Sequence, residues 1–455
     1  MSKKSISSTI IKPRHLQRIM KAACAVGDSL MIWGPGGIGK SDIVAQFANN
    51  NYPLRGSEYA DKKIVELTSQ IACGQITNHA LVRYEKLLLD QATNLIDFRL
   101  ASTEPTDIRG IPIAVVYWMG EKTGTQYFTE SDAAASGEKF NRFDGIVWAP
   151  PAVFNLPKDW KGVLFMDEAN QAIPMVQAAA YSLFLNHRVG DLVLPKGVFI
   201  VAAGNRDQDG GSTFEMATPL RDRITHVELE PDLDDFLQYG INNGVDGTVL
   251  AFVKHDPSKL HTLSPHHVHI SGGASPRSWV RVSDYRKLNG GELFDYGQVA
   301  NRDHDKYLCA RALVAGRVGE EEASEYLLFV DQIMGMEHFS KALSGELDKL
   351  VDKHGVKYDH GAVYGYFINA ALHIGSLLRA NKAAGEITPE IDADFNRKVD
   401  NFFKFLDRNC EFYDASEFFV VTFRAIVAQG VMVTPQKQTS LTEILKKYRD
   451  SLALR

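Results

Sequence analysis

Apolar and polar residues alternate differently in the two halves of the chain. Short apolar runs predict strands in the first half, and in chain order these runs are Leu30–Trp33, Leu95–Leu100, Val163–Met166, Val198–Ala203 and Ile224–Leu229. Segments with helical spacing separate them, which predicts a parallel sheet with helices on both faces. Beyond Pro231 only helical spacing recurs. The sequence therefore predicts an α/β domain followed by an all-helical part.

Several segments add detail to this plan. Residues 54–94 are polar and read as an insertion, with a helical pattern near His79–Asp90. The polar residues of Gly120–Asn141 predict a mobile loop, and the alternation within Arg188–Gly197 predicts a β-hairpin. In the second half, Glu321–Leu343 and Ser440–Leu452 are each predicted to form one helix.

A glycine-rich segment follows the first strand and precedes a helical pattern. Its sequence, Gly34-x-x-x-x-Gly39-Lys40-Ser41, fits the phosphate-binding loop in that structural context. Glycines let backbone N–H groups turn towards phosphate oxygens, Lys40 would reach the β- and γ-phosphates, and Ser41 would bind Mg²⁺. A turn that binds nothing is disfavoured because loop and flanking elements agree. The candidate nucleotide-binding residues are Gly34, Pro35, Gly36, Gly37, Ile38, Gly39, Lys40, Ser41 and Asp42.

Polar residues end two of the later strands. Asp167 and Glu168 follow Val163–Met166, and such carboxylates can hold magnesium and polarise an attacking water. Because the sites of open α/β sheets lie at the carboxyl ends of strands, Asp167 and Lys40 should meet there. Asn205 ends the next strand and could bind the water or the γ-phosphate, although a turn-forming asparagine fits the same position.

Three arginines are candidates for charge stabilisation. Arg221 and Arg223 precede the last strand, where a cation could act across a subunit boundary, or could pair with Asp222 or Glu228 instead. Arg277 follows Ser275 and Pro276, which predict the N-cap and first position of a helix. A solvated surface arginine is the alternative for Arg277.

Composition narrows the class of protein. The 455 residues are 45% hydrophobic and 23% charged, which is ordinary for a globular protein of two or three domains. A net charge of −6 argues against dominant binding to nucleic acid. Four dispersed cysteines, and the absence of an apolar leader or membrane-length apolar run, lead us to expect a cytoplasmic protein with no disulfide framework and no membrane partner.

The motifs taken in order resemble those of the AAA+ ATPases, and within these the MoxR branch. The resemblance covers roughly residues 10–290 and includes Asp107–Pro112, Pro150-Pro151 and the hairpin before Asn205. It implies that Asn205 is the sensor-1 residue, Arg223 the arginine finger and Arg277 the sensor-2 arginine, with Arg221 as a second candidate for the finger.

The resemblance also implies an organisation and an activity. Residues 1–231 would form the nucleotide-binding core with insertions at 54–94 and 107–150, residues 232–292 a helical lid, and residues 293–455 a C-terminal helical region. It implies a hexameric ring that hydrolyses ATP with Mg²⁺ and remodels a client protein, often with a von Willebrand factor A-domain partner. A nucleic-acid motor and a non-hydrolysing assembly scaffold are the alternatives; the acidic balance disfavours the first and Glu168 the second.

Overall fold

The structure is a computed structural model in which two compact units succeed each other along the chain, Met1–Glu230 and Pro231–Arg455. It describes residues 9–52 and 94–453 apart from 124, 128–129, 150, 155, 191, 207–208, 210–212, 217, 264–272, 298–300, 335, 337, 353, 384–387, 435–436 and 439. The predicted insertion at 54–94, with its helical pattern near His79–Asp90, lies almost wholly outside the described residues.

A six-stranded parallel sheet forms the centre of the first unit. Its strands are β1 (Ile10–Ile11), β2 (Leu30–Trp33), β3 (Leu95–Arg99), β7 (Lys161–Asp167), β10 (Gly197–Gly204) and β11 (Thr225–Leu229). They lie side by side in the order β1-β11-β2-β10-β7-β3. The five strands other than the edge strand β1 can be numbered 1 to 5 by their order in the chain. Their order across the sheet is then 5-1-4-3-2.

Helices cover both faces of this sheet, as predicted. One face packs against α1 and α2, and the other against α5. These helices and the short ones between them are α1 (Pro13–Val26), α2 (Lys40–Asn51), α3 (Pro105–Arg109), α4 (Glu130–Ala135), α5 (Pro174–Asn186) and α6 (Thr218–Arg221). The central strands β2 and β10 are apolar along their length, and β7 is apolar between Lys161 and Asp167, because both of their faces are buried.

The predicted insert at 107–150 contains a small antiparallel sheet. Its strands are β4 (Ile111–Gly120), β5 (Gln126–Tyr127) and β6 (Phe140–Ala149), and β4 pairs with β6 over ten residues. The prediction of a mobile loop over Gly120–Asn141 was wrong, since this segment holds β5 and α4. The predicted hairpin is present as β8 (Arg188–Val189) and β9 (Leu192–Val193).

The second unit is helical throughout the part that the structure describes, apart from 3₁₀ turns and one isolated bridge between Val351 and Lys357. One continuous apolar core runs from Phe236 to Tyr448, so it includes both the predicted lid residues and the C-terminal region. Its α-helices are α7 (Leu233–Asn243), α8 (Gly247–His255), α9 (Pro276–Lys287), α10 (His304–Val318), α11 (Glu320–Met334), α12 (Phe339–Ser344), α13 (His360–Ala383), α14 (Pro389–Tyr413), α15 (Ser416–Ala428), α16 (Leu441–Lys447) and α17 (Arg449–Ala453).

Two of the predicted helices in this unit are divided. Glu321–Leu343 contains α11 and α12, because His338 adopts an extended backbone and its side chain accepts a hydrogen bond from the Ser340 amide, which starts a new helix. Ser440–Leu452 is likewise divided into α16 and α17 at Tyr448. Among the described residues, no helix is both long enough and apolar enough to cross a bilayer.

Candidate nucleotide-binding site

The glycine-rich loop connects β2 to α2. Gly37 and Gly39 have φ values of 76° and 90°, a region that residues with a side chain rarely adopt. At Gly34 the constraint is space, since a Cβ atom there would lie 2.4 Å from the Leu229 carbonyl oxygen. The backbone of the loop therefore requires glycine at these three positions.

Lys40 begins α2, and its ammonium group is turned back onto the loop. The side chain is buried, and Nζ donates to the carbonyl oxygens of Gly34 at 2.6 Å and Pro35 at 2.9 Å. It also donates to Oδ1 of Asn205 at 3.1 Å. These hydrogen bonds offset the cost of burying the charge, and they join the loop to the end of β10.

Ser41 contacts the carboxylate that ends β7. Its hydroxyl donates to Asp167 Oδ2 at 2.9 Å, while Asp167 Oδ1 accepts from the Glu168 amide at 2.9 Å. Asp167 and Lys40 were predicted to meet, and the contact with Asp167 is made by Ser41, the residue that follows Lys40. A hydroxyl and a carboxylate are hard oxygen donors of the kind that Mg²⁺ prefers.

Glu168 lies directly beyond β7 and has a φ of 57°, which is unusual for a residue with a side chain. The amide of Ala169 donates to the Ala203 carbonyl at 2.8 Å, so the turn is held to the neighbouring strand. On the adjacent strand β3, burial and then the charge of Asp167 raise the pKa of Asp97.

Asn205 is held by a second asparagine that the sequence reasoning missed. Asn170 is buried, and its side chain donates to the Asn205 carbonyl at 2.7 Å and accepts from the Asn205 amide at 3.1 Å. Gly204 makes room for it, since a Cβ atom there would lie 2.4 Å from Asn170 Oδ1. The backbone of Asn205 is therefore fixed while its own amide oxygen faces Lys40.

Arg206 was also missed, and it fixes the other side of Asn205. Its guanidinium pairs with Asp209 at 2.8 Å and with Glu228 on β11 at 2.7 Å. The hydrogen bond to Asp209 raises the pKa of Arg206 above its ordinary value. Glu228 forms its ion pair with Arg206. The suggestion that Glu228 pairs with Arg221 or Arg223 was therefore wrong.

Arg221 and Arg223 lie at the opposite edge of the sheet from the glycine-rich loop. In the parallel register Thr225 is beside Leu30, so the residues before β11 lie near the start of β2, whereas the loop follows its end. We call the end with Gly34 the loop edge and the end with Arg223 the arginine edge.

The two arginines differ in their contacts. Arg223 is exposed, donates to the Tyr181 hydroxyl at 2.6 Å and lines a cleft of about 470 Å³. Arg221 is less exposed and its guanidinium is 3.5 Å from Glu215. Arg223 is thus the more exposed of the two arginines.

The two remaining residues that the sequence proposed for the site are Asp42 and Arg277. Asp42 is an exposed acid in the first turn of α2. Arg277 lies in the second unit, in the first turn of α9, after the N-cap Ser275 and after Pro276 as predicted. Its side chain is exposed. The structure therefore brings together Lys40, Ser41, Asp167, Glu168 and Asn205 within the first unit.

No family model and no curated protein matches the chain. Among solved structures, two variants of RuvB from Thermotoga maritima are each 13% identical with a TM-score of 0.28, and cover 69% and 73% of this chain and 67% and 73% of their own. NtrX from Brucella abortus, in complex with ADP, is 12% identical with a TM-score of 0.29, covering 85% of this chain and 70% of its own. At these TM-scores the likenesses carry no argument by themselves. The parallel sheet, the phosphate loop and the helical second unit are the P-loop α/β architecture that the sequence predicts.

Proposed function

We propose that the protein is a ring-forming Mg-ATP hydrolase of the MoxR type, which uses ATP turnover to remodel a partner protein. The observation that carries the proposal is the convergence of Lys40, Ser41, Asp167 and Asn205 at the loop edge, with hydrogen bonds of 2.9 and 3.1 Å between them. A strand order of 5-1-4-3-2 makes this convergence possible, because β2, β10 and β7 are neighbours.

Each residue then has a role in hydrolysis. Lys40 would exchange its carbonyl partners for β- and γ-phosphate oxygens, and Glu168 would polarise the attacking water. Ser41 and Asp167 would hold Mg²⁺, which neutralises phosphate charge when bound. Asn205, with its backbone clamped by Asn170, would contact the γ-phosphate or the water.

The proposal also gives a role to each of two arginines. Arg223 lies at the arginine edge of its own subunit, so it would act on the ATP of a neighbouring subunit, and its exposed guanidinium supports this role. Arg277 would act on the ATP of its own subunit. Six subunits would form the ring, as in the family that the motifs resemble.

The insert supports a protein client. Both faces of its β-sheet expose apolar side chains, including Ile113 at 48%, Ile146 at 69% and Trp148 at 42%. Apolar surface of this kind is typical of protein contacts. A von Willebrand factor A-domain protein is the partner that we expect.

Phosphate release by purified protein tests the hydrolytic site. We expect Glu168→Gln to bind ATP but to lower kcat ~100-fold or more, since it removes the group that activates water. Lys40→Ala should lose ATP binding. The matched controls are Glu417→Gln and Lys446→Ala, which change exposed residues of the second unit.

Wild-type turnover in the Glu168→Gln variant would contradict the role of Glu168 as the base. If wild-type protein released no phosphate, the hydrolase proposal itself would be wrong. Turnover that requires DNA or RNA, and falls steeply with salt, would instead indicate a nucleic-acid motor.

A further inference from the structure

Trp33 and His226 form a hydrogen-bonded chain on the face of the sheet that packs against α5. The indole Nε1 of Trp33 donates to His226 Nδ1 at 2.8 Å, and His226 Nε2 lies 2.8 Å from the Arg221 carbonyl oxygen. An indole N–H can only donate, so Nδ1 accepts and the ring proton must be on Nε2. A single neutral tautomer of His226 therefore makes both hydrogen bonds.

This chain runs from the loop edge to the arginine edge. Trp33 is the last residue of β2 and directly precedes Gly34, while Arg221 ends α6 two residues before Arg223. The four residues of β2 separate these edges by roughly 10 Å. Trp33 and His226 bridge that distance with side chains.

Other contacts hold the imidazole in one orientation. Its ring is stacked on Trp33, with a centroid distance of 5.9 Å and an interplanar angle of 17°. Both ring nitrogens have partners, so the ring cannot flip without losing a hydrogen bond. Burial lowers the pKa of His226, which favours the neutral tautomer at neutral pH.

We infer that Trp33 and His226 are positioning residues, which hold the backbone of Arg221–Arg223 in place relative to the glycine-rich loop. In this role they act through the arginine that a subunit offers to its neighbour and not on the nucleotide itself. A movement of Gly34 on ATP binding would reach Arg221 through this chain. The inference rests on the proposed function for its catalytic consequence, but its structural part does not.

The variants remove hydrogen bonds while keeping the packing. His226→Phe retains a ring against Trp33 but loses both bonds, and Trp33→Phe loses only the first. His226→Gln offers a donor and an acceptor again and serves as the rescue variant. His15→Phe, at an exposed position of α1, is the matched control.

Backbone hydrogen exchange tests the structural part without reference to ATP. We expect His226→Phe, and more weakly Trp33→Phe, to speed exchange in residues 218–224, and His226→Gln to restore slower exchange. Unchanged exchange at 218–224 in both variants would overturn the inference, whatever the protein's activity.

Mixed assemblies test the catalytic part. We expect His226→Phe to lower kcat about tenfold, the effect of losing one or two hydrogen bonds, with KM for ATP unchanged. Mixing it with Lys40→Ala subunits, which keep Arg223 intact, should restore turnover. Mixing it with Arg223→Ala subunits should not.

The possible failures are distinguishable. Recovery with the Arg223→Ala partner in place of the Lys40→Ala partner, or a raised KM, would mean that His226 supports its own subunit's site, and would overturn the positioning role. A mixture of Lys40→Ala and Arg223→Ala subunits serves as the reference. If that reference also failed to recover, the trans role of Arg223 in the proposed function would be wrong.

Discussion

Glu168 adopts left-handed backbone geometry, which costs a residue with a side chain about 1–2 kcal/mol. Hydrogen bonds on both sides offset that cost: the Glu168 amide donates to Asp167, and its carbonyl accepts from the Gln171 amide at 2.9 Å. Strained residues that the surroundings hold in place occur often at active sites. The strain here sets the direction of the chain just where the proposed catalytic base lies.

Asn170 provides a test of how much the site depends on its supports. We expect Asn170→Ala to lower the free energy of unfolding by about 2 kcal/mol, because two backbone groups of Asn205 lose their partner in a buried place. Turnover should also fall, since Asn205 is no longer fixed. Urea unfolding and phosphate release would measure the two effects.

Asn50→Ala is the control, as it removes an exposed asparagine from α2. Equal stability of Asn170→Ala and Asn50→Ala would show that the Asn205 backbone does not need this clamp.

Sequence reasoning could propose those residues of the candidate site that belong to a short motif or end an apolar run. Gly34, Lys40, Ser41 and Asp167 follow from a short motif and from apolar runs that end in polar residues. Asn170 and His226 could not be found this way, because their partners are 35 and 193 residues distant in the chain. Arg206 was missed even though its partner Asp209 is only three residues away and its position directly after Asn205 was a signal.

Elements with uniform patterns were predicted well. The central strands β2, β7 and β10 are buried on both faces, so their middle residues are apolar and stand out in the sequence. The segment Gly120–Asn141 was misread because β5 has only two residues and α4 only six, too short to give a periodic signal. The division between α11 and α12 was missed because a histidine, which is an uncommon cap, starts the second helix.

The long helix α14 carries much of the second unit's core. Phe402 is completely buried and lies between Phe367 and Phe405, with ring centroids 6.2 and 6.4 Å away. We expect Phe402→Ala to lower the free energy of unfolding by about 3–5 kcal/mol through the cavity it leaves. Thermal or urea unfolding of the second unit would measure this loss.

Ile391→Ala on the same helix is the control, because Ile391 is 40% exposed and should cost much less. A comparable loss for the two variants would mean that Phe402 does not lie in a packed core.

At the scale of the whole molecule, the proposed function requires assembly. We expect Glu168→Gln to form hexamers with ATP, because a trapped nucleotide keeps the loop edge of one subunit bound to the arginine edge of the next. Mass measurement in solution, with and without ATP, would determine the number of subunits. A monomer under all nucleotide conditions would contradict the ring.

The same trapped assembly should retain its client or a von Willebrand factor A-domain partner, and Lys40→Ala is the control because it should not be trapped. Partner retained equally by both variants would show that capture does not depend on ATP.

The opposite placement of Lys40 and Arg223 has a consequence for how defects spread. In the proposed ring, subunits with unlike edges would join head to tail, so the assembly would be directional and would have no two-fold interface. In such an arrangement a subunit without Arg223 silences one neighbour, always on the same side, while still being able to turn over its own ATP. A subunit without Lys40 does the reverse. The loss of activity would therefore pass in one direction around the proposed ring, and the pattern of inactive sites would reveal which way the subunits face.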